Sequence, residues 1–343
     1  MTILCLVNVD LGVADATAER TGQTAGMSSG NAAHVLIGFD GSEAAGHAIA
    51  AAARLLPGAR ATLAVVRESW LPLDSASAAR IALPDSVIGP ATMALDEELE
   101  HAAAELLERG RALAAGAGLD AEAVVEISRT PWRGLVAAAE RIGGAAIVCG
   151  ASGRGGLPRA VLGTTTGALL HHAPVPVLVV PGGEADEGPL VIGYDRSDAA
   201  REAIEDAAVL FPGRAALVVH AWSSPVRRSV AGAWLLTTPV DEVQQLASSL
   251  DEMYAGDAEE LAEEGAALAR AAGLDAEPLP LESDRGVWRT IAALADERGA
   301  AAIAVGSRGR GSITAALLGS VSSGLVRDAR RPVLVTRRAT ASP

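Results

Sequence analysis

Two glycine-rich phrases of identical spacing occur 156 residues apart in this chain of 343 residues. They read Gly150-x2-Gly153-x9-Gly163-Thr164 and Gly306-x2-Gly309-x9-Gly319-Ser320. Each phrase follows a short apolar run and leads into a helix-like stretch. Glycine lets the backbone approach a phosphate without a Cβ in the way, and the N–H groups at a helix N-terminus favour an anion. The repeat therefore predicts a duplicated domain with one phosphate site in each half.

An aspartate ends the first apolar run of each half, Asp40 in the first and Asp195 in the second. By itself, an aspartate before a helix is typical of an N-cap. If the first and fourth strands of each half are neighbours, however, the carboxylate and the glycine loop meet in one crevice. Ligands bind in this crevice of α/β sheets, at the carboxyl ends of the strands. We therefore interpret both aspartates as ligand contacts.

The charge of the chain limits the functions it can have. The formal net charge is −14, and all 28 basic residues are arginine. A negative surface repels nucleic-acid phosphates and anionic lipids, so we expect neither nucleic acid nor membrane as a partner. The absence of lysine excludes a Walker-type loop and Schiff-base chemistry. We find no metal-ligand cluster and no evident general base, so we expect no enzyme activity.

Cysteine content and hydropathy indicate the compartment. The two cysteines are Cys5 and Cys149, and Cys149 falls in a predicted buried strand, where it is interpreted as a small apolar residue. No run of 18 apolar residues occurs, so no membrane span is predicted. The chain begins Met1-Thr2-Ile3-Leu4 without a basic region, which argues against a secretory signal. We expect a cytoplasmic protein.

Strands and helices alternate in both halves, which favours parallel sheets with helices on both faces. In the first half the predicted strands cover 34–39, 61–67, 121–127, 145–149 and 176–180, and the predicted helices cover 43–56, 92–117, 132–142 and 164–172. Residues 68–91 are predicted to form a loop because they carry three prolines. Asp195 lies 155 residues after Asp40, whereas Trp288 lies 156 residues after Trp132. We place the extra residue in the long loop after the second strand.

These elements predict two domains, at 34–181 and 189–337, joined by a linker at 182–188. An N-terminal extension at 1–33 is expected to be flexible, and a start at Met27 stays open as an alternative. Residues 338–343 form a tail. Trp132 and Trp288 are interpreted as packing residues at the start of a helix.

With these motifs the chain resembles the universal stress protein family in its tandem form. The ATP-binding subclass of that family carries the same glycine phrase after the fourth strand and an aspartate that closes the first. Both features occur twice here, and the phrases Gly38-Phe39-Asp40-Gly41-Ser42 and Val219-His220-Ala221-Trp222 match as well. The resemblance implies two tandem, doubly wound, Rossmann-like sheets of five parallel strands in the order 3-2-1-4-5.

The resemblance also implies one adenine-nucleotide site in each domain, with ATP and its Mg²⁺ as the expected ligand. Asp40 and Asp195 would lie beside the adenine, and the backbone of Val66 and Ala221 would contact its edge. The ribose and phosphates would be bound by Gly150, Gly153, Gly163 and Thr164 in the first domain and by Gly306, Gly309, Gly319 and Ser320 in the second. The first loop has Ser152 where the second has Arg308, which leaves the equality of the two sites open.

The function implied is that of an ATP-binding stress-response module that signals to an unidentified protein partner. Two alternatives stay open: a slow ATPase or nucleotidyl-transfer enzyme, and a structural interaction protein with vestigial sites. The fifth strands are short and apolar, and proteins of the family pair them across a two-fold axis. We therefore expect an intramolecular pseudo-dimer through these strands, with a further homodimer left open.

Overall fold

The computed structural model describes residues 32–68, 85–153, 162–182, 187–223, 240–309 and 318–336. In 85–95, 240–244 and 246–247 only the backbone is described. The predicted extension up to Asn31, the centre of the linker and the C-terminal tail lie outside the described residues.

Among its described residues, the first half contains five strands and four helices. The strands are β1 (His34–Gly38), β2 (Arg60–Glu68), β3 (Ala121–Ser128), β4 (Ala146–Gly150) and β5 (Val177–Val180). The helices are α1 (Glu43–Leu55), α2 (Asp85–Gly116), α3 (Pro131–Ile142) and α4 (Thr164–His172).

The second half repeats this order within the described residues. Its strands are β6 (Leu190–Gly193), β7 (Ala215–Trp222), β8 (Asp275–Glu282), β9 (Ala302–Gly306) and β10 (Val333–Thr336). Its helices are α5 (Asp198–Leu210), α6 (Val240–Ala271), α7 (Val287–Glu297) and α8 (Ser320–Asp328).

The strand order confirms the predicted α/β topology. The sheet runs β3-β2-β1-β4-β5-β10-β9-β6-β7-β8, so each half has the order 3-2-1-4-5. All strand pairs within a half are parallel. In both halves the first strand lies between the second and the fourth, which is the reversal point where a crevice forms at the carboxyl ends of the strands.

The two halves join through their fifth strands, which is the pairing expected from the sequence. Strands β5 and β10 pair antiparallel, with Leu178 opposite Leu334. Both leucines are fully buried. The two five-stranded sheets therefore form one continuous ten-stranded sheet.

Alanine and aliphatic side chains fill the space between the sheet and the helices on each face. One buried cluster includes Ile37 and Ala48 of the first half together with Ile192 and Ile204 of the second. A second cluster on the other face likewise contains residues of both halves. With few aromatic residues available, small side chains allow the helices to approach the sheet closely.

Two predictions about the connections were wrong. Helix α2 begins at Asp85, so residues 85–91 are helical although they were predicted to be loop. The first four N–H groups of a helix have no intrahelical acceptor. Because Pro90 stands in the second turn, it removes only about one hydrogen bond. The proline therefore does not exclude the helix.

The extra residue of the second half does not lie in the loop after the second strand, where it was predicted. Ala61 pairs with Ala121 and Ala216 pairs with Ala276, so the offset is still 155 residues at the third strand of each half. The insertion follows Ser283, in the turn that leads to α7. The prediction failed because no sequence landmark between the second strand and the tryptophan of the third helix showed that the offset stays at 155 residues as far as the third strand.

Candidate functional site

The chain turns immediately after β1, and Asp40 lies in this turn. The Asp40 Oδ1 atom accepts the N–H of Ser42 over 2.9 Å. The Ser42 hydroxyl in turn accepts the N–H of Ala45 and caps α1. Asp195 and Ser197 repeat both contacts in the second half. Since serine is the N-cap in both halves, capping does not account for the aspartates.

The first glycine of each phrase ends a strand beneath a helix. A β-carbon at Gly150 would lie 2.7 Å from the carbonyl group of Ala44 in α1. A β-carbon at Gly306 would lie equally close to Ala199 in α5. These two glycines are therefore required for packing of a helix against the strand end, a reason that differs from the phosphate approach inferred from sequence.

The second glycine of each phrase faces the aspartate. A β-carbon at Gly153 would lie 2.9 Å from Oδ2 of Asp40, and one at Gly309 would lie 2.5 Å from Oδ2 of Asp195. The structure thus brings the aspartate and the glycine loop together in each half. A side chain at either glycine would therefore displace the aspartate carboxylate.

The third glycine begins the fourth helix of its domain. Gly163 is the N-cap of α4, and its N–H donates to the carbonyl of Ala151 over 2.9 Å, closing the base of the loop. Gly319 is the N-cap of α8 in the same way. Neither helix has a side-chain cap. Among the described residues, the N–H groups of the first turn therefore have no side-chain cap, and such a helix start suits an anion.

Thr164 and Ser320 occupy the first helical position rather than the cap. Both residues are exposed. A hydroxyl two residues further along each helix has a structural role that sequence reasoning missed. Thr166 donates to the carbonyl of Gly150 over 2.8 Å, and Ser322 donates to that of Ser307 over 3.1 Å. The signal was present, since these two hydroxyls are also 156 residues apart.

A cavity of about 570 Å³ lies at the carboxyl ends of β1, β2 and β4. This volume is in the range of small-molecule sites. Its apolar wall includes Phe39, Val65, Pro131 and Leu135. All six first-domain residues predicted for the site also line it: Asp40, Val66, Gly150, Gly153, Gly163 and Thr164.

The wall formed by the second strand differs in size between the halves. A β-carbon at Gly134 of α3 would lie 2.7 Å from Cγ1 of Val66, so the valine occupies the space that glycine leaves. The equivalent positions in the second half hold Ala221 and Thr290, a small residue on the strand and a larger one on the helix. Thr290 donates to the Ser283 hydroxyl over 3.1 Å. The wall that the second strand contributes therefore differs between the two crevices: a valine faces a glycine in the first domain, and an alanine and a threonine take these positions in the second.

Cys149 also lines the cavity, but its thiol is unsuited to chemistry. Burial raises the pKa of Cys149 to about 12, and a hydrogen bond with Thr166 offsets only part of this effect. Because the thiolate is the reactive form, the buried thiol stays inert at neutral pH. This agrees with the interpretation of Cys149 as an apolar core residue.

The tryptophans pack, as expected. Trp132 stacks on His172 with ring centroids 4.8 Å apart. A β-carbon at Gly324 would lie 2.5 Å from the Trp288 ring, so α7 and α8 are in close contact there. Neither a group of three or more potential metal ligands nor a helix able to cross a membrane was found within the part of the chain that the structure describes.

Comparison with known proteins agrees with this architecture. The model of the universal stress protein family matches the chain twice, over residues 32–181 and 188–337. The chain belongs to this family. The two matches follow the duplication seen in the sheet, one match for each half.

Three similar proteins share 19%, 24% and 31% sequence identity with this universal stress protein. A universal stress protein of Mycolicibacterium smegmatis is 31% identical over 202 residues, and the match covers 56% of this chain and 61% of that relative. The crystal structure of a universal stress protein from Archaeoglobus fulgidus is 19% identical, with a TM-score of 0.57 and coverage of 89% of this chain and 98% of that chain; it has the same fold. Another structure, a universal stress protein in complex with cAMP, is 24% identical, with a TM-score of 0.30, and covers 46% of this chain and 100% of its own.

Proposed function

We propose that this universal stress protein is a cytoplasmic stress-response module that binds one adenine nucleotide in each domain, prefers ATP and signals to a protein partner. The observation that carries the proposal is the first-domain cavity, which gathers every residue predicted for that site. The second domain supports it by repeating the contact between the aspartate and the glycine loop.

The chemistry of the cavity suits the two ends of a nucleotide. Val66, Pro131 and Leu135 offer an apolar surface for a flat base. The Asp40 carboxylate accepts hydrogen bonds, which the adenine amino group and the ribose hydroxyls can donate. The phosphates would lie at the uncapped N-terminus of α4, where backbone N–H groups and the helix dipole favour negative charge.

Magnesium would be held mainly by the nucleotide. Mg²⁺ is usually bound by phosphate oxygens, water and one or two carboxylates. The described residues contain no group of three acidic, histidine or cysteine side chains for it. We therefore expect Mg²⁺ to enter with ATP rather than to occupy a site of its own.

Calorimetric titration with ATP, ADP, AMP and cAMP tests the proposal. We expect about two ATP molecules per chain, because the aspartate, the glycine loop and the uncapped helix are all present in both halves. Adenosine without phosphate serves as the control and should bind more weakly, since it makes no contact with the helix N-terminus. A stoichiometry near one would show that one half is degenerate. No heat and no thermal shift with any of these nucleotides would refute the proposal.

We also propose that the chain binds ATP without turning it over. A general base must reach the proton it removes, and one oxygen of Asp40 already accepts a backbone N–H. We expect hydrolysis below about one turnover per minute, against roughly 1–1000 per second for typical enzymes. A phosphate-release assay on purified protein measures this rate. Faster turnover that is lost in the Asp40→Asn variant would place the protein among the enzymes.

A further inference from the structure

A polar cluster of the second domain surrounds the turn that carries Asp195. Glu264 of α6 is its centre: Oε1 accepts the Tyr194 hydroxyl over 2.7 Å, and Oε2 accepts Nε–H of Arg196. Arg201 of α5 lies 3.6 Å from the same carboxylate. Tyr194 and Arg196 are the two chain neighbours of Asp195. Glu264 therefore holds the turn on both sides of the candidate ligand contact.

The turn needs this support because its backbone is strained. Arg196 has φ = 65°, in the left-handed region, and no other non-glycine residue within the described ranges has a positive φ. Side chains other than glycine adopt this conformation at a cost, so surrounding contacts must stabilise it. The ion pair with Glu264 is such a contact.

The first domain lacks the cluster, although its backbone follows the same path. Gly41, with φ = 82°, stands where the second domain has Arg196. Phe39, which has no hydroxyl, replaces Tyr194, and Arg109 replaces Glu264. The alignment of the helices is secure, because β-carbons at the paired glycines Gly110 and Gly265 would lie 3.0 and 2.7 Å from the Phe39 and Tyr194 rings.

We infer that Glu264 is a positioning residue for the second nucleotide site: it holds the strained Asp195 turn in the conformation that Gly41 adopts in the first site without strain. The inference rests on the proposed function. A preorganised site spends less binding energy on ordering. Loss of the Glu264 contacts therefore weakens nucleotide binding at the second site.

Glu264 keeps its charge over a wide pH range. The hydrogen bond from Tyr194 lowers the pKa of Glu264, with further lowering by Arg196 and Arg201 against the effect of burial. The carboxylate is therefore ionised at neutral pH, as the pair with Arg196 requires.

The test isolates the second site by blocking the first with Gly153→Val. In that chain, Glu264→Gln is expected to weaken ATP binding about tenfold, because loss of the ion pair leaves the strained turn unsupported. Adding Arg196→Gly should restore affinity to within about threefold, since glycine adopts the turn without strain. A purely structural role for Glu264 in holding α6 would give no such rescue.

Glu263→Gln is the matched control. This neighbouring glutamate pairs with Arg270 instead of the turn, so its loss removes the same charge and should leave ATP affinity unchanged. If Glu264→Gln fails to fold, Tyr194→Phe removes a single hydrogen bond and installs the residue of the first domain; we expect about threefold weaker binding. The rescue by Arg196→Gly is measured only if the Glu264→Gln protein folds.

The outcomes separate the inference from the proposed function. Unchanged affinity in Glu264→Gln, or an equal loss in Glu263→Gln, would overturn the inference while the site itself stands. If the Gly153→Val chain binds no ATP while the Gly309→Val chain still binds it, the second domain has no site. Both the inference and the proposed function would then be wrong for the second domain. In the Gly309→Val chain, where the first site is read alone, Glu264→Gln should have no effect.

Discussion

Gly309→Val is expected to weaken ATP binding at the second site by about two powers of ten, or about 2.7 kcal/mol. A β-carbon at this position would lie 2.5 Å from Asp195 Oδ2, so a branched side chain displaces the aspartate and the loop together. Gly319→Val should act in the same direction, because it adds bulk beside Arg308 at the start of α8. Titration with ATP in the Gly153→Val background measures the second site alone.

Ser307→Ala is the control for this prediction. The first half has Ala151 at the equivalent position, and the Ser307 contacts with Gly319 and Ser322 use its backbone carbonyl. We expect its affinity to stay within about twofold, since the replaced hydroxyl makes none of those bonds. Near-normal affinity in both glycine variants would show that the phosphates bind elsewhere.

Leu178→Ala is expected to lower the free energy of unfolding by about 3 kcal/mol. Leu178 is fully buried opposite Leu334 at the junction of the two halves, and truncation of a buried leucine costs roughly 2–5 kcal/mol. Chemical denaturation followed by circular dichroism measures the change. Because the buried clusters contain residues of both halves, we expect the two domains to unfold in one transition.

Leu113→Ala provides the comparison. Leu113 is 47% exposed on α2, and surface substitutions usually change stability by less than about 0.5 kcal/mol. A loss of less than about 1 kcal/mol in Leu178→Ala, or two separate transitions in the parent protein, would contradict a shared core across the junction.

Local signals were sufficient for the succession of strands and helices along the chain, whereas the order of the strands in the sheet was implied by the resemblance to the family. Each apolar run is short, each is bounded by turn residues, and the glycine phrase repeats at a fixed offset. In a parallel sheet these features place Asp40 and Gly153 at the same edge, and the structure brings them together. Val66 joins them because β2 is the neighbour of β1.

What the sequence did not reveal depends on contacts between distant residues. Tyr194 and Glu264 are 70 positions apart, and neither belongs to a recognisable pattern. The need for glycine at position 150 likewise arises from a helix that begins at Glu43 and crosses the strand end. Local propensity also misled at Pro90, because a proline early in a helix removes little hydrogen bonding.

The antiparallel junction between β5 and β10 has a consequence for the number of partners. Within each half the strands are parallel, so reversal at the junction turns the carboxyl ends of the two halves toward opposite edges of the sheet. The two crevices therefore open in opposite directions. A protein that docks over one crevice leaves the other exposed, and no single small ligand spans both. If the proposed partner docks at a filled crevice, this geometry would let one chain bind two partner molecules at once, on opposite edges of the sheet.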